Sequence, residues 1–503
     1  MSFGPPPSMY TQSALAADQT RSRRRRRLFL VLAAMVAFVL CLGGSLIWYH
    51  SAGRTAARDA KAVKQAPDDI RETVEKAPVS PEGRLVTEHF TTVPSSKPVY
   101  APGTWATGKV VARAVADWIE AYKIGTDYDK TAWKLRLDGH VCAVSRDVTA
   151  DGRTAVVVQP PPAGGSGKAA NSDKEGVCDE VVMVDLNTGK RLWQRKMPSA
   201  DFAFVTNTGI ALTRSVVAVA WGQGSVAYDM DSGRRLWNTT VATSQCHDSG
   251  FAGGRALLAL VLCGESTDAR YRVEKLDPRT GDVIWRYSVS NGIQGVYLPS
   301  ADPPVLAVEA GDTVVTDLLT LDPETGRRRA TISMRGYDTK CGQESYPGSF
   351  FGVLDKCDGM VVGRDRAFVM SKENLDDDKP ADSITAFDLA KGTKAEKFEG
   401  RPLQTVVPVR MNGDDLIVYR DSSSSVQPAA VVDWNPRTDK ETPYLLFSLP
   451  TDVEYELSDP EQSDILYEQG HAFLANRILE RDEDSPKDPV LSVIGVGSAG
   501  IEH

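Results

Sequence analysis

The sequence predicts an all-β protein, an eight-bladed β-propeller of four-stranded blades preceded by one transmembrane helix. A short motif recurs along the chain, apolar strand-like runs lie between its copies, and an uncharged stretch of 22 residues lies near the N-terminus. The composition, with 42% hydrophobic and 25% charged residues, is that of a globular protein. It excludes a chain that is disordered throughout and a polytopic membrane protein.

The motif has the pattern Asp-x-x-Thr-Gly-x-x-x-Trp, with Ser in place of Thr in the second copy. Three complete copies and a fourth copy with Ala330 in place of Trp are Asp185, Gly189 and Trp193; Asp229, Gly233 and Trp237; Asp277, Gly281 and Trp285; and Asp322 and Gly326. Weaker copies begin at Asp388 and Asp433, and successive motif aspartates are 44 to 66 residues apart. A repeat of this length is typical of propeller blades.

Each copy has the chemistry of a β-hairpin. The Asp side chain can accept hydrogen bonds from the backbone of the turn, and Gly provides the positive φ that a tight reversal needs. The Trp four residues after the Gly provides a large apolar surface, so we expect it to pack against a neighbouring blade. Upstream runs such as 154–158 and 256–262 provide further strands, which gives four strands for each repeat.

Both ends of the repeat region predict incomplete blades. Segments 105–113, 117–122 and 131–137 resemble strands of a degenerate first blade, and 465–467, 471–478 and 489–496 resemble three strands of a last one. We therefore predict eight blades, or seven if the C-terminal strands complete the first blade. In either case a strand from one end of the chain must complete a blade and close the ring.

The repeat resembles the pyrroloquinoline-quinone-like (quinoprotein alcohol dehydrogenase-like) β-propeller family over about residues 100–500. The overall layout is similar to membrane-anchored actinobacterial members. The propeller lipoprotein of the outer-membrane β-barrel assembly machinery is a more distant relative. The resemblance implies the fold and no particular activity, because one fold hosts many functions.

The N-terminal region predicts a membrane anchor. We divide the chain into a disordered basic cytoplasmic tail (1–27), a transmembrane helix (28–49), an extracytoplasmic linker (50–98) and the propeller (99–503). The 22 residues of the helix span about 33 Å, enough for a bilayer core. Arg23 to Arg27 place the N-terminus in the cytoplasm and the propeller outside the cell. A cleaved signal peptide, a twin-arginine signal and a lipoprotein signal at Cys41 are the alternatives.

Charge is distributed unevenly. Residues 1–50 carry a net charge of +5 and the remainder -14. We expect no nucleic-acid partner, because nucleic-acid affinity depends on cations that neutralise phosphates.

Six cysteines remain when Cys41 is set aside, and an oxidising compartment favours disulfides between them. Fifteen pairings are possible. The repeats suggest one of these, which pairs Cys142 with Cys178, Cys246 with Cys263 and Cys341 with Cys357. Metal binding is not favoured, because no pair has the spacing of zinc ligands.

Several catalytic or ligand-binding motifs are incomplete. Residues 164–168 resemble a phosphate-binding loop but lack its first Gly and its final Ser or Thr. The run from Cys246 to Ser249 contains the residue types of a nucleophilic triad, but neighbours on a strand point to opposite faces. The acidic clusters 376–382 and 480–484 lack the order of a calcium loop, and we interpret them as solvated loops, with weak Ca²⁺ binding as the alternative.

We therefore predict a non-catalytic, membrane-anchored extracellular propeller without a cofactor or metal, which binds an envelope protein or a cell-wall ligand. The alternatives are a quinone-dependent oxidoreductase with a modified site and an envelope-assembly factor. The quinone enzymes of the family use a vicinal disulfide, and this sequence has no adjacent cysteines.

Overall fold

The computed structural model describes residues 65–498 except 94–97, 126–129, 162–175, 241–245, 265–269, 312–313, 343–352, 372–381, 402–403, 423–426, 450–456, 458–461 and 482–487. Eight four-stranded antiparallel sheets form the eight blades of the propeller. The predicted fold and blade count are thereby confirmed. The predicted tail and transmembrane helix lie outside the described residues. Within the described part of the chain, no helix has the length and apolar character needed to cross a bilayer.

The strands are numbered along the chain, beginning with β1 (Gly83–Thr91) and β2 (Val99–Tyr100). Blade 1 contains β3 (Gly103–Ala106), β4 (Val110–Val115), β5 (Trp118–Lys123) and β6 (Thr131–Arg136). Blade 2 contains β7 (His140–Val144), β8 (Arg153–Gln159), β9 (Glu180–Asp185) and β10 (Lys190–Lys196). Blade 3 contains β11 (Gly209–Thr213), β12 (Val216–Ala220), β13 (Gly224–Asp229) and β14 (Arg235–Thr240). Blade 4 contains β15 (Cys246–Ala252), β16 (Leu257–Cys263), β17 (Arg270–Leu276) and β18 (Val283–Ser288).

Blade 5 contains β19 (Ile293–Ala301), β20 (Pro304–Ala310), β21 (Asp317–Leu321) and β22 (Arg328–Ser333), and a two-stranded sheet of β23 (Lys340–Cys341) and β24 (Cys357–Asp358) follows it. Blade 6 contains β25 (Met360–Val362), β26 (Arg366–Met370), β27 (Ser383–Asp388) and β28 (Lys394–Glu399). Blade 7 contains β29 (Val406–Asn412), β30 (Asp415–Arg420), β31 (Ala429–Asn435) and β32 (Lys440–Phe447). Blade 8 contains β33 (Ser463–Glu468), β34 (His471–Asn476) and β36 (Val490–Ser498), while the short β35 (Ile478–Leu479) pairs with β2.

The N-terminal strand completes blade 8. Strand β1 pairs antiparallel with β36, from Gly83 opposite Ser498 to Thr91 opposite Val490. The sequence predicts that residues 83–91 belong to the linker 50–98, whereas the structure makes them the outer strand of a blade. The propeller therefore begins before residue 99, because the three C-terminal strands need a fourth strand to cover their edge.

The middle strands of the blades are buried on both faces. All five residues of β12, for example, are inaccessible to solvent. Such continuous burial arises where a sheet is covered on both faces, here by the adjacent blades. The apolar core is consequently a series of layers between blades.

The motif residues join consecutive blades. The indole N–H of Trp193 donates to the carbonyl of Met230 in the next blade at 2.7 Å. A Cβ added at Gly233 would lie 2.7 Å from the Trp193 ring. The ring is therefore in close contact with the glycine, which must lack a side chain both for this contact and for its φ of 64°.

The same arrangement recurs from blade 1 to blade 5. The indoles of Trp133, Trp237 and Trp285 donate to Leu186, Pro278 and Pro323 and pack against Gly189, Gly281 and Gly326. Blade 5 has Ala330 where the Trp would be, and Ala330 lies near Gly392 of blade 6.

The motif turn of blade 7 differs from its predicted position. The sequence pattern predicts that Asp433 is the motif aspartate, but β31 continues for two more residues. Asn435 accepts hydrogen bonds from the backbone of Arg437 and Thr438 at 3.0 Å, as the other motif aspartates do in their turns. Asp439 has the positive φ, 53°, that Gly has elsewhere.

Candidate functional site

The first strands of the blades surround a central cavity of about 560 Å³. Blades 1, 2, 4, 5, 6, 7 and 8 contribute residues to its lining, and so does the segment that precedes β1. Its charged lining residues are Arg71, Glu72, Arg146, Asp147, Arg255, Asp355, Lys356, Asp358, Arg364, Arg410, Asp464, Glu468 and Arg477. A lining with both signs of charge fits a polar or charged ligand better than an apolar one.

Residues 65–75, which we call the strap, lie across one end of this cavity. The strap begins on blade 2, where the Arg71 amide donates to Val148 at 2.9 Å and the Asp69 carbonyl accepts from Ala150 at 2.8 Å. These bonds flank an antiparallel bridge between Ile70 and Thr149. The strap therefore adds a short strand to the turn between β7 and β8.

Blade 3 contacts the start of the strap through polar side chains. The Ser215 hydroxyl donates to Asp68, and Arg214 forms an ion pair with Asp69 at 3.2 Å.

The middle of the strap contacts the cavity rim through charged side chains. Glu72 forms ion pairs with Arg255 of blade 4 at 3.2 Å and with Arg364 of blade 6 at 3.7 Å. Arg71 lies 3.6 Å from Glu468 of blade 8 and donates to a backbone carbonyl of blade 1 at 2.5 Å. The strap thereby contacts blades 1, 2, 3, 4, 6 and 8.

The strap ends at a pocket that binds the side chain of Glu75. The Glu75 carboxylate accepts hydrogen bonds from the backbone amides of Gln469 and Gly470, both at 2.6 Å, and forms an ion pair with Arg410. Only 7% of this side chain is exposed. Burial raises the pKa of the Glu75 carboxyl, and the charge of Arg410 acts against that shift.

The backbone of Glu75 is bound in the same pocket. Its amide donates to the side chain of Asn412 at 2.6 Å, and its carbonyl accepts from the Tyr444 hydroxyl at 3.2 Å and from the Asn412 amide at 3.3 Å. The pocket thus contacts both the extended backbone and the carboxylate of a glutamate.

The segment 354–358 borders another part of the cavity. The disulfide Cys341–Cys357 holds it, and the Leu354 carbonyl accepts from Leu298 of blade 5 at 2.7 Å. Arg146 of blade 2 donates to the Asp355 carbonyl at 2.6 Å.

Buried charges in the cavity perturb each other. Burial and the carboxylate of Asp355 raise the pKa of Asp147 to about 7, against the charge of Arg146. Burial would also raise the pKa of Asp464, but Arg477 and Lys356 hold it below its ordinary value. Arg477 bonds Asp464 at 2.8 Å and Asp358 at 3.3 Å, so one guanidinium neutralises two lining carboxylates.

The structure contains the three disulfides at the suggested pairs, Cys142–Cys178, Cys246–Cys263 and Cys341–Cys357. The last two join directly opposed residues of adjacent strands. Disulfides of this kind fit a protein of an oxidising, extracytoplasmic compartment.

The residue types of a triad on β15 do not assemble into one. Cys246 is in a disulfide, and the Asp248 carboxylate accepts hydrogen bonds from Ser225 at 2.5 Å and Thr239 at 3.2 Å. Residues 164–168, 376–378 and 482–484 lie outside the described residues. Across the residues that are described, no three His, Cys, Asp or Glu side chains are grouped as metal ligands.

The strap, its pocket and the motif-like role of Trp133 are not evident from the sequence. The strap is part of an Ala-, Pro- and charge-rich stretch without periodicity, and its partners lie up to 395 residues away. Trp133 follows no Asp-x-x-Thr-Gly turn, so only its place in a degenerate blade could have indicated its role.

The ring of repeats and its central cavity define a pyrroloquinoline-quinone-like β-propeller. A family model described as "Outer membrane protein assembly factor BamB" matches residues 43–245 and 177–440. The chain belongs to this family.

Solved structures that match the chain include BamB from Moraxella catarrhalis, with 11% identity, 83% of this chain and 100% of that chain covered, and a TM-score of 0.42. A europium-containing methanol dehydrogenase matches with 12% identity, 83% and 93% coverage and a TM-score of 0.43. The quinohemoprotein alcohol dehydrogenase from Comamonas testosteroni matches with 10% identity, 84% and 78% coverage and a TM-score of 0.42. Curated proteins provide no match.

The described lining does not fit the quinone and calcium ion of the family's dehydrogenases. Calcium needs carboxylate and carbonyl oxygens that can turn towards the ion. Asp358 and Asp464 are instead bonded to Arg477, and the strap residues 71–74 occupy one end of the cavity.

Proposed function

We propose that the protein is a non-catalytic binding or scaffold protein of the cell envelope, anchored in the membrane by residues 28–49 with its propeller outside the cell. The observation that carries this proposal is the strap. One end of the ring binds an extended peptide through its backbone and its charged side chains, which is the chemistry of a protein-binding surface.

Two further observations support an envelope location. The three disulfides fit an oxidising compartment, and the family description refers to an outer membrane assembly factor. By analogy, the partner is an envelope protein or a cell-wall component. The membrane-anchored actinobacterial layout stays a prediction.

Proximity labelling around the full-length protein in its native cell tests the proposal. We expect envelope proteins or cell-wall enzymes to be labelled reproducibly above a membrane control with the same predicted anchor. Labelling of cytoplasmic proteins alone by a fusion at the C-terminus would contradict both the orientation and the function.

The quinone-dependent alternative has a separate test. The full-length protein is purified in detergent, incubated with pyrroloquinoline quinone and Ca²⁺, and desalted. We expect no quinone absorbance in the protein fraction, and stoichiometric retention of the quinone would favour the oxidoreductase.

A further inference from the structure

The strap is bound to the ring as a ligand would be. It adds one bridge to blade 2 and contacts the ring mainly through polar groups. Of its larger aliphatic side chains, Ile70 packs against the core and Val74 is 68% exposed. Little buried apolar surface therefore becomes exposed to water when the strap separates from the ring.

Charge complementarity defines what this end of the ring binds. The strap carries Asp68, Asp69, Glu72 and Glu75 and a single cation, Arg71. The ring opposes these acids with one arginine from each of blades 3, 4, 6 and 7, namely Arg214, Arg255, Arg364 and Arg410. These arginines form a positively charged surface that can bind an extended acidic segment.

The contacts differ in strength along the strap. The ion pairs of Asp69 and Glu72 involve side chains that are at least 29% exposed, and exposed pairs contribute about 0–1 kcal/mol each. The Glu75 pocket is buried and contacts both the backbone and the carboxylate. Recognition is therefore concentrated at one glutamate, and the remainder of the strap can separate from the ring in steps.

We infer that the strap is an exchangeable occupant of this end of the ring, which binds an extended acidic segment of a partner protein with a glutamate in the Glu75 pocket. This inference rests on the proposed binding function and names the chemistry of its partner. A tethered strap competes at an effective concentration of the order of millimolar, so a partner segment must bind the site more tightly than the strap does.

A fluorescent peptide in trans tests the exchange. The peptide reproduces residues 65–75 with capped ends, and a control peptide carries Glu75→Gln. The proteins are the full-length wild type, the Glu75→Gln variant, the Glu75→Gln/Arg410→Ala double variant and a Glu324→Gln control. Glu324 is an exposed acid in a motif turn without a side-chain contact to the strap.

We expect the Glu75→Gln protein to bind the peptide at least tenfold more tightly than the wild type and the Glu324→Gln control, because its own strap competes less well. Adding Arg410→Ala or using the control peptide should each weaken this binding at least tenfold. Absence of binding to the Glu75→Gln protein up to about 1 mM, or equal affinity for the two peptides, would overturn the inference.

Hydrogen exchange of the wild type tests the same exchange without a substitution. With the peptide in excess, the strap amides of Arg71 and Glu75 should exchange faster, while amides of β12 stay protected. Unchanged strap exchange would overturn the inference even if the variants fail to fold.

Light scattering of the Glu75→Gln protein identifies the occupant. A monomer with or without peptide supports a segment of a partner protein as the occupant. Dimers would instead assign the site to the strap of a second copy and would overturn the inference of a partner protein. A failure of proximity labelling would contradict the proposed function and leave the peptide result unaffected, so the two failures are distinguishable.

Discussion

Between blades 1 and 5, each blade joins the next through an indole packed on a glycine, whereas the junctions from blade 7 through blade 8 to blade 1 use arginine side chains. Arg410 of blade 7 donates to the Tyr467 carbonyl of blade 8 at 2.6 Å. Arg113 of blade 1 is fully buried and donates to the Ser492 and Asn476 carbonyls of blade 8. Apolar layers are present in both arcs, so the difference lies in the residues that align neighbouring blades.

This difference follows from how the ring is built. Repeated units meet through the same two surfaces, so one Trp and one Gly can serve each junction between blades 1 and 5. Where the two ends of the chain meet, no copy of that surface exists. Guanidinium groups suit this junction because they bond several carbonyl oxygens at once.

Removing an indole should have the largest effect on the repeat arc. We expect Trp193→Ala to lower the free energy of unfolding by about 4 kcal/mol, because a buried ring and its hydrogen bond are both lost. Urea unfolding of the oxidised protein measures the change. The control is Leu192→Ala, since Leu192 is 42% exposed, and it should cost less than about 1 kcal/mol. Equal losses would contradict a special role for the indole.

Removing the buried guanidinium of Arg113 tests the closure of the ring, by which we mean the junction between blade 8 and blade 1. We expect Arg113→Ala to cost about 3 kcal/mol, because three carbonyls of the closure lose their donor. Hydrogen exchange should increase first in β1 and β36 and later in β12. Arg136→Ala is the control, since Arg136 is 75% exposed. An equal increase in hydrogen exchange in all blades would show that the junction between blades 8 and 1 does not open separately from the remainder of the ring.

A glycine pair separates backbone conformation from blade contact. Gly233 and Gly222 have φ values of 64° and 74°, but only Gly233 has a neighbour within 4 Å of an added Cβ. We expect Gly233→Ala to cost about 2 kcal/mol and Gly222→Ala about 1 kcal/mol, as measured by urea unfolding. Equal costs would mean that contact with Trp193 does not constrain this position.

The stability of the part of the ring from blade 7 through blade 8 to blade 1 should also depend on pH. Burial and the charge of Asp433 raise the pKa of Asp415 to about 6, so the folded protein keeps a proton that the unfolded chain releases near pH 4. Stability contributed by this group is present below pH 4, falls as the pH rises to 6 and stays low above it.

Asp415→Asn should therefore stabilise the protein by about 1–2 kcal/mol at pH 7.5 and leave its stability near pH 4 unchanged. Urea unfolding at both pH values measures this, with exposed Asp282→Asn of the repeat arc as the control. A gain that is equal at both pH values would contradict the assigned cause.

The sequence predicted the repeat arc better than the closure, for a physical reason. The motif turns, the Trp contacts and the disulfide pairs are local or repeat at one spacing, so periodicity reveals them. The Glu75 pocket depends on partners 337 to 395 residues away. Asp433 was misplaced because Asn435 can accept the same turn hydrogen bonds, so the sequence pattern alone does not fix that turn.

The pairing of β1 with β36 has a consequence for biosynthesis. The ribosome makes β1 about 400 residues before it makes the strand that β1 pairs with. During synthesis the early blades can stack while β1 stays without its partner, and the ring closes only after β36 has been made. A premature stop before Val490 would leave β1 unpaired and blade 8 incomplete. Blade 8, and with it the ring, can therefore be completed only when β36 is present.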